Sequence, residues 1–521
     1  MTRLFPALIF LLFVSKSFSQ LNLQQIGHLP YAPLSLAGCK AHVDAQGGEW
    51  ALVGTSAGLS IVDLSDPTQP VERFAVPGLP NNWREVRTWN GFAYVGSEAG
   101  GSGITIVDLR YLPDTIYWKV WLGDLAFDSL VQRSHTVQAV DGYLYIFGGG
   151  NVTAGCTIAD LSDPWNPHIV GAYTLNYVHD GFIRGDTLWT SEIYEGQFGV
   201  VDISDKTKPQ LLRTQLTPGK FNHNSELSDD NKLLFTTDEV FGAPMGAFDV
   251  SDLDNIRLLD VYYPSQFPNA PVHNVRVKGD FIVNPSYGGQ LTIVDASRPD
   301  NLIETAWALM GTSLVWDADP YLPSGILFAT AKNEGLFVFQ PTYQHACWLE
   351  GTVRDSATGW PLNKARVFVL DTPNADTTLP TGIFKTGTAL PGSYTVFVEK
   401  DGYESLTITD VALQSGSVTT LDLALQPIPV RTDDGPASTP DVRVSPSPFA
   451  DWLAVDIAPG SPFAQGGILV RLSDVAGKTL VEKNASGTRI MLEGLRHLPT
   501  GAYFLTLQQE KGRSRTFRVM R

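Results

Sequence analysis

Three cysteines in 521 residues cannot build a disulfide framework, and Cys39, Cys156 and Cys347 share no short spacing of the kind that binds zinc or runs redox chemistry. At most one bridge can form, so buried apolar filler is the expected role of each thiol. Basic residues are scarce too: 37 Lys and Arg face 54 Asp and Glu, for a net charge of −17. That balance argues against a nucleic-acid partner, since phosphate contacts need clustered Lys and Arg. Long apolar runs are missing as well. The run over residues 4–14 is about half of the roughly 20 residues that span a bilayer, so no transmembrane helix is expected.

What is abundant is Gly (48) and Pro (34), beside an ordinary apolar share of 43%. This composition predicts many short strands joined by turns and excludes a disordered chain, because there is ample apolar surface to bury. Arg3, the apolar run and the small-x-small triplet Ser17-Phe18-Ser19 read as a signal peptide over residues 1–19, ahead of Gln20. Export follows as an expectation.

An internal repeat organises most of the chain. Gly58-Leu-Ser-Ile-Val-Asp63, Gly103-Ile-Thr-Ile-Val-Asp108 and Gly155-Cys-Thr-Ile-Ala-Asp160 are alike; Phe198-Gly-Val-Val-Asp202, Gly246-Ala-Phe-Asp249 and Leu291-Thr-Ile-Val-Asp295 continue the series. Gly335-Leu-Phe-Val-Phe339 closes it without the acid. The spacings are 45, 52, 42, 47, 46 and 44 residues, and each unit holds further alternating segments around hairpin signals such as Asp141-Gly142. Four short strands per unit of this length predict a β-propeller blade. The seventh unit stops after three strands, and the segment from Leu23 to Leu29 supplies its fourth, so a closed seven-bladed ring is expected over residues 20–343. The repeated Asp sits where the third strand turns into the fourth, placed to accept backbone N–H groups across the turn.

These units resemble the LVIVD repeat, and the region as a whole resembles the propeller of the choice-of-anchor B surface proteins. Tyr177-Val-His-Asp-Gly181, Asn222-His-Asn-Ser225, Val272-His-Asn-Val275 and Tyr321-Leu-Pro-Ser-Gly325 also carry the likeness. The resemblance implies a fold and an exported location, and brings no settled activity.

Histidine is rare (9), yet His135, His179, His223 and His273 recur 44, 44 and 50 residues apart, each opening an innermost strand. Innermost strands line a propeller's channel, and their starts lie at the same end as the turns between second and third strands. Those turns bring Glu192 in the fourth unit, and Asp238 with Glu239 in the fifth. Asp180, Asn224 and Asn274 stand beside the histidines. Imidazoles and carboxylates at one mouth form a candidate ligand site and could hold a divalent metal ion as cofactor. Equal regularity arises if each histidine bonds the neighbouring blade. The first two units break the pattern with Ala41 and Trp83. No HExxH or GxSxG motif accompanies these residues, and no nucleophile–base pair is identifiable. Trp83, Trp189 and Trp316 fall near the mouth or the inner strands, as stacking faces or as core.

Beyond residue 343 the pattern changes. Gly351-Thr-Val-Arg-Asp355, Thr358-Gly-Trp-Pro-Leu362, Gly392-Ser-Tyr-Thr-Val396 and Lys400-Asp-Gly-Tyr403 predict a β-sandwich over 344–427, similar to the carboxypeptidase regulatory-like domain, with the stretch 371–382 as a long polar turn. That module carries no peptidase chemistry. A Pro-, Asp- and Ser-rich linker covers 428–441. After it, Pro446-Ser-Pro448, Val470-Arg-Leu-Ser-Asp474 and Leu498-Pro-Thr-Gly-Ala-Tyr503 resemble the type IX secretion C-terminal sorting domain, which implies a β-sandwich over 442–521 and the type IX secretion machinery as a partner. The reading is an all-β chain: a seven-bladed β-propeller followed by two small β-sandwich domains. Its expected role is exported binding of an unknown extracellular ligand or protein. The alternatives are a metal-assisted hydrolase or lyase at the histidine mouth, or a structural surface protein.

Overall fold

The computed structural model describes residues 20–124, 129–149, 154–428, 441–474, 478–509 and 514–521. The signal-peptide reading over 1–19 and nearly all of the proposed linker lie outside these residues. Seven antiparallel four-stranded sheets follow one another along the chain from Leu36 to Pro341. Blade 1 is Leu36–Val43, Glu49–Thr55, Gly58–Asp63 and Val71–Pro77, in that order from channel to rim. Blades 2 to 6 repeat the order, beginning at Arg84, Thr136, Asp180, Asn222 and Arg276. Blade 7 takes Val315–Asp319, Leu327–Ala331 and Gly335–Pro341 from one end of the sequence and Leu23–Leu29 from the other. Leu23 pairs with Pro341 and Leu29 with Leu336, so the N-terminal strand closes the ring and removes the edges of an open array. Gln20–Leu21 adds a short fifth strand to blade 6.

The repeat's residue choices have local causes. Asp63, Asp160, Asp202, Asp249 and Asp295 each accept the N–H of the serine two residues on, at 2.6–3.1 Å, and so cap the turn into the outer strand. The same strand pair carries a bulge in six blades, as between Ile61 and Val62, which bends the outer strand along the ring. Gly27 and Gly171 occupy equivalent outer strands, and a Cβ at either would lie 2.1 Å from a backbone oxygen of the next blade, Pro67 or Lys206. Between blades the apolar residues of the middle strands pack face to face, as Leu52, Ile61, Val86, Val95 and Val107 do between blades 1 and 2. Cys39, Cys156 and Cys347 are buried free thiols.

The module after the propeller is a sandwich of two four-stranded sheets, built on Cys347–Asp355 and on Gly392–Glu399, around Val353, Val367, Phe384, Val398 and Leu425. The stretch 371–382 is more than a turn: Ala375–Thr377 forms an edge strand paired with Arg366–Val369. The module docks on blade 6. Arg298 donates Nε and Nη2 to the two oxygens of Glu350 at 3.0 and 2.9 Å, Asn301 adds a third bond, and Trp348 Nε1 donates to the Asn301 carbonyl. Asp295, besides capping its turn, receives His345 Nδ1 and the Ala346 N–H. The described residues from Asp441 to Arg521 form a compact unit of their own. It contains a three-stranded and a four-stranded sheet around Leu453, Val455, Val470, Leu472, Leu505 and Leu507.

Candidate functional site

The inner strands ring a channel, and their first residues gather at one mouth. His135, His179, His223 and His273 come from blades 3 to 6 and stand as a staircase. Successive ring centroids are 3.9, 4.3 and 4.2 Å apart, with planes tilted by 43–50°. Trp316 of blade 7 takes the next step, 4.5 Å from His273. The staircase is held by backbone. His179 Nδ1 bonds the His223 carbonyl at 3.2 Å, and His273 Nδ1 bonds the Trp316 carbonyl at 2.6 Å. His223 Nδ1 faces the His273 carbonyl without reaching hydrogen-bond geometry. A carbonyl only accepts, so Nδ1 of His179 and of His273 carries the proton and leaves Nε2 as a bare lone pair.

Burial, with the neighbouring imidazoles, holds His179 and His223 well below the ordinary imidazole range and brings His273 to about 3. The three rings are therefore neutral at physiological pH, which is the state that binds a metal. His273 Nε2 is buried without a partner.

The carboxylates divide. Glu239 reaches the staircase: Oε2 lies 3.7 Å from His223 Nε2, while Tyr287 of blade 6 donates its hydroxyl to Oε1. Burial raises the Glu239 carboxyl above its ordinary range. Glu192 and Asp238 do other work, contrary to their sequence placement at the mouth. Glu192 is buried inside blade 4 and accepts from Tyr173, Thr190, Asn176 and Gln197, which uses both its oxygens. Asp238 accepts from Thr217, Gly219 and Phe221, tying down the loop that leads to His223. Asn274 likewise turns away: its amide donates to the Trp316 carbonyl and to Asp317 of the next blade. Asp180 and Asn224 form the same kind of stitch, Asn224 Nδ2 donating to Asp180 at 2.6 Å.

Two participants are absent from the sequence reading. Glu98, in the second-to-third-strand turn of blade 2, accepts from His135 Nδ1 at 2.5 Å, a bond that lowers the carboxyl's pKa. It occupies the offset that singled out Glu239, one blade before the first histidine. Lys332 of blade 7 lies over the rings of Trp316 and Trp83 at 4.2 and 5.1 Å. Trp83 is exposed and Trp316 buried at this mouth, while Trp189 is core. Among the described residues, two sets place three potential ligand atoms within 4.8 Å of one another: His135, His179 and His223, and His223, Glu239 and His273. Zinc–nitrogen bonds are about 2.0–2.1 Å, so either set would have to draw closer together to share one ion.

Fold and repeat together define a β-propeller repeat protein. The LVIVD repeat model matches residues 45–77 and 194–217, in blades 1 and 4, and the carboxypeptidase regulatory-like domain model matches 349–426. No curated protein matches the chain. Similar solved structures include the β-propeller domain of Cps50 (Swd1) from Myceliophteria thermophila, at 10% identity and a TM-score of 0.45, covering 61% of this chain and all of that one. A putative 6-phosphogluconolactonase from Bacteroides uniformis is similar at 14% identity and a TM-score of 0.39, covering 50% of this chain and 82% of that one. No helix among the described residues is long and apolar enough to cross a membrane.

Proposed function

We propose that the protein is an exported binding protein of the choice-of-anchor B type, displayed on the cell surface or released, whose propeller holds a divalent transition metal at the histidine mouth. The ligands come from one of two sets that share His223: His135, His179 and His223, or His223, Glu239 and His273. The supporting observation is the tautomer lock of His179 and His273, whose Nδ1 is spent on a carbonyl of the next blade so that Nε2 is left without the proton. It is the arrangement in which an outer hydrogen bond orients a ligating imidazole. Glu98 plays that part for His135. A metal fixed at the base of a mouth rimmed by loops from several blades gives an extracellular ligand one strong coordination point. Delivery rests on the likeness of residues 442–521 to the type IX sorting domain, with the secretion machinery as partner.

Elemental analysis of the purified full chain, and of His179→Ala and His223→Ala, tests the reading. One equivalent of a transition metal in the parent, lost in both folded variants, is the expected result. A metal-free parent that stays metal-free after incubation with zinc, manganese or copper overturns it.

A further inference from the structure

The channel has a second mouth, where the inner strands end, and a cavity of about 430 Å³ opens there. All seven blades contribute to its wall. Most of its charges are spent. Lys40 pairs with Asp319 at 2.8 Å, and Arg276 donates Nη2 to Asp317 at 2.6 Å. Glu226 accepts the Tyr321 hydroxyl and the Val277 N–H, and burial raises its carboxyl above the ordinary range. Among the described residues, Arg87 and Arg184 keep guanidinium nitrogens without a hydrogen-bond partner. Arg87 of blade 2 is 7% exposed and uses Nε on Gln138 and Nη1 on the Val86 carbonyl, with Glu85 no closer than 3.7 Å. Arg184 of blade 4 uses Nη1 alone, on the Ser228 carbonyl and Asn231. Gln138 of blade 3 lies between them. Two aromatic side chains line the same space: Phe182, with the Arg184 guanidinium 5.1 Å from its ring centroid, and Tyr321, with Lys40 Nζ 4.8 Å from its centroid and its hydroxyl reaching across to blades 5 and 6.

We infer that this second mouth is a binding site for a small acidic sugar, with Arg87 and Arg184 taking the carboxylate and Phe182 and Tyr321 packing on the ring. Unspent guanidinium donors are the groups that recognise a planar carboxylate. Amide, hydroxyl and carboxylate groups suit ring hydroxyls, the aromatic faces suit a pyranose face, and the volume suits one or two sugar units. The site is independent of any metal at the histidine mouth, since none of these residues belongs to the staircase.

Calorimetric titration of the full chain with galacturonate and glucuronate, in the presence of a chelator, tests the assignment with galactose as the neutral control. A uronate is expected to bind at least tenfold more tightly than galactose, and Arg87→Gln and Arg184→Gln each to weaken it at least tenfold. Arg184 is partly exposed, so its variant keeps the test intact if the buried Arg87→Gln chain fails to fold. Failure of both uronates to bind, equal affinity for galactose, or unchanged uronate binding in folded Arg184→Gln overturns the inference. The chelator keeps this outcome separate from the fate of the metal site.

Discussion

His179 donates its Nδ1 proton to the carbonyl of His223, 3.2 Å away in the next blade. The bond does two things at once. It fastens adjacent blades, as a structural histidine would, and it decides which nitrogen is left to face the channel. On the proposed metal-binding reading, the structural bond and the ligand role of His179 are consecutive: the first would prepare the second.

Glu239 and Glu192 should separate by experiment. Glu239→Gln removes a charged oxygen beside His223 and is expected to weaken metal binding by about tenfold, with little effect on melting. Glu192→Gln disrupts a buried acceptor of four hydrogen bonds. It should cost about 1–3 kcal/mol and leave metal stoichiometry intact. Chemical denaturation and metal titration of both variants read the two quantities.

Acid sensitivity should trace to the staircase. An unfolded imidazole titrates near 6.5, whereas folded His273 stays neutral down to about 3. Below pH 6.5 the unfolded chain binds a proton that the native chain refuses, so stability is full above that pH and falls as pH drops toward 3. Between pH 6.5 and 5 the loss is about 2 kcal/mol for this residue. His179 and His223 act in the same direction. Urea unfolding at pH 7 and pH 5 should show a smaller loss for His273→Gln than for the parent.

Ring closure rests on close approach of the N-terminal strand to blade 1. Gly27→Val places a side chain where a Cβ would meet the Pro67 carbonyl oxygen at 2.1 Å. The expected destabilisation is about 3 kcal/mol, since backbone on both sides must move. An unchanged melting temperature would mean that the N-terminal strand does not seat there.

At the module junction, Glu350 carries three bonds from Arg298 and Asn301. Glu350→Ala should cost about 1–3 kcal/mol and speed proteolysis in the segment 341–346, while the propeller fragment stays protease-resistant.

The ring was legible in the sequence because each blade repeats its turn chemistry at nearly fixed spacing, and because the acid of Ile-Val-Asp recurs to cap the same turn. The histidines were legible for the same reason. What the sequence left hidden depends on direction. Glu192 and Glu239 leave the ends of equivalent strands, yet one turns back toward Tyr173 of blade 3 and the other toward His223 of its own blade and Tyr287 of blade 6. Offset along a strand does not encode that choice; the partners on adjacent blades do. Glu98 was missed because its own blade lacks the histidine that it serves. Arg87 and Arg184 drew no notice because their meeting point, the second mouth, joins blades that are not adjacent.

The most direct measurement is a cobalt(II) titration of the metal-stripped full chain, followed by visible absorption, with His223→Ala alongside. The account predicts an absorption band that saturates at one equivalent per chain, is abolished by competing zinc, and is absent from the folded variant. A titration that gives the parent no band beyond free cobalt, or the same band in parent and variant, would contradict it.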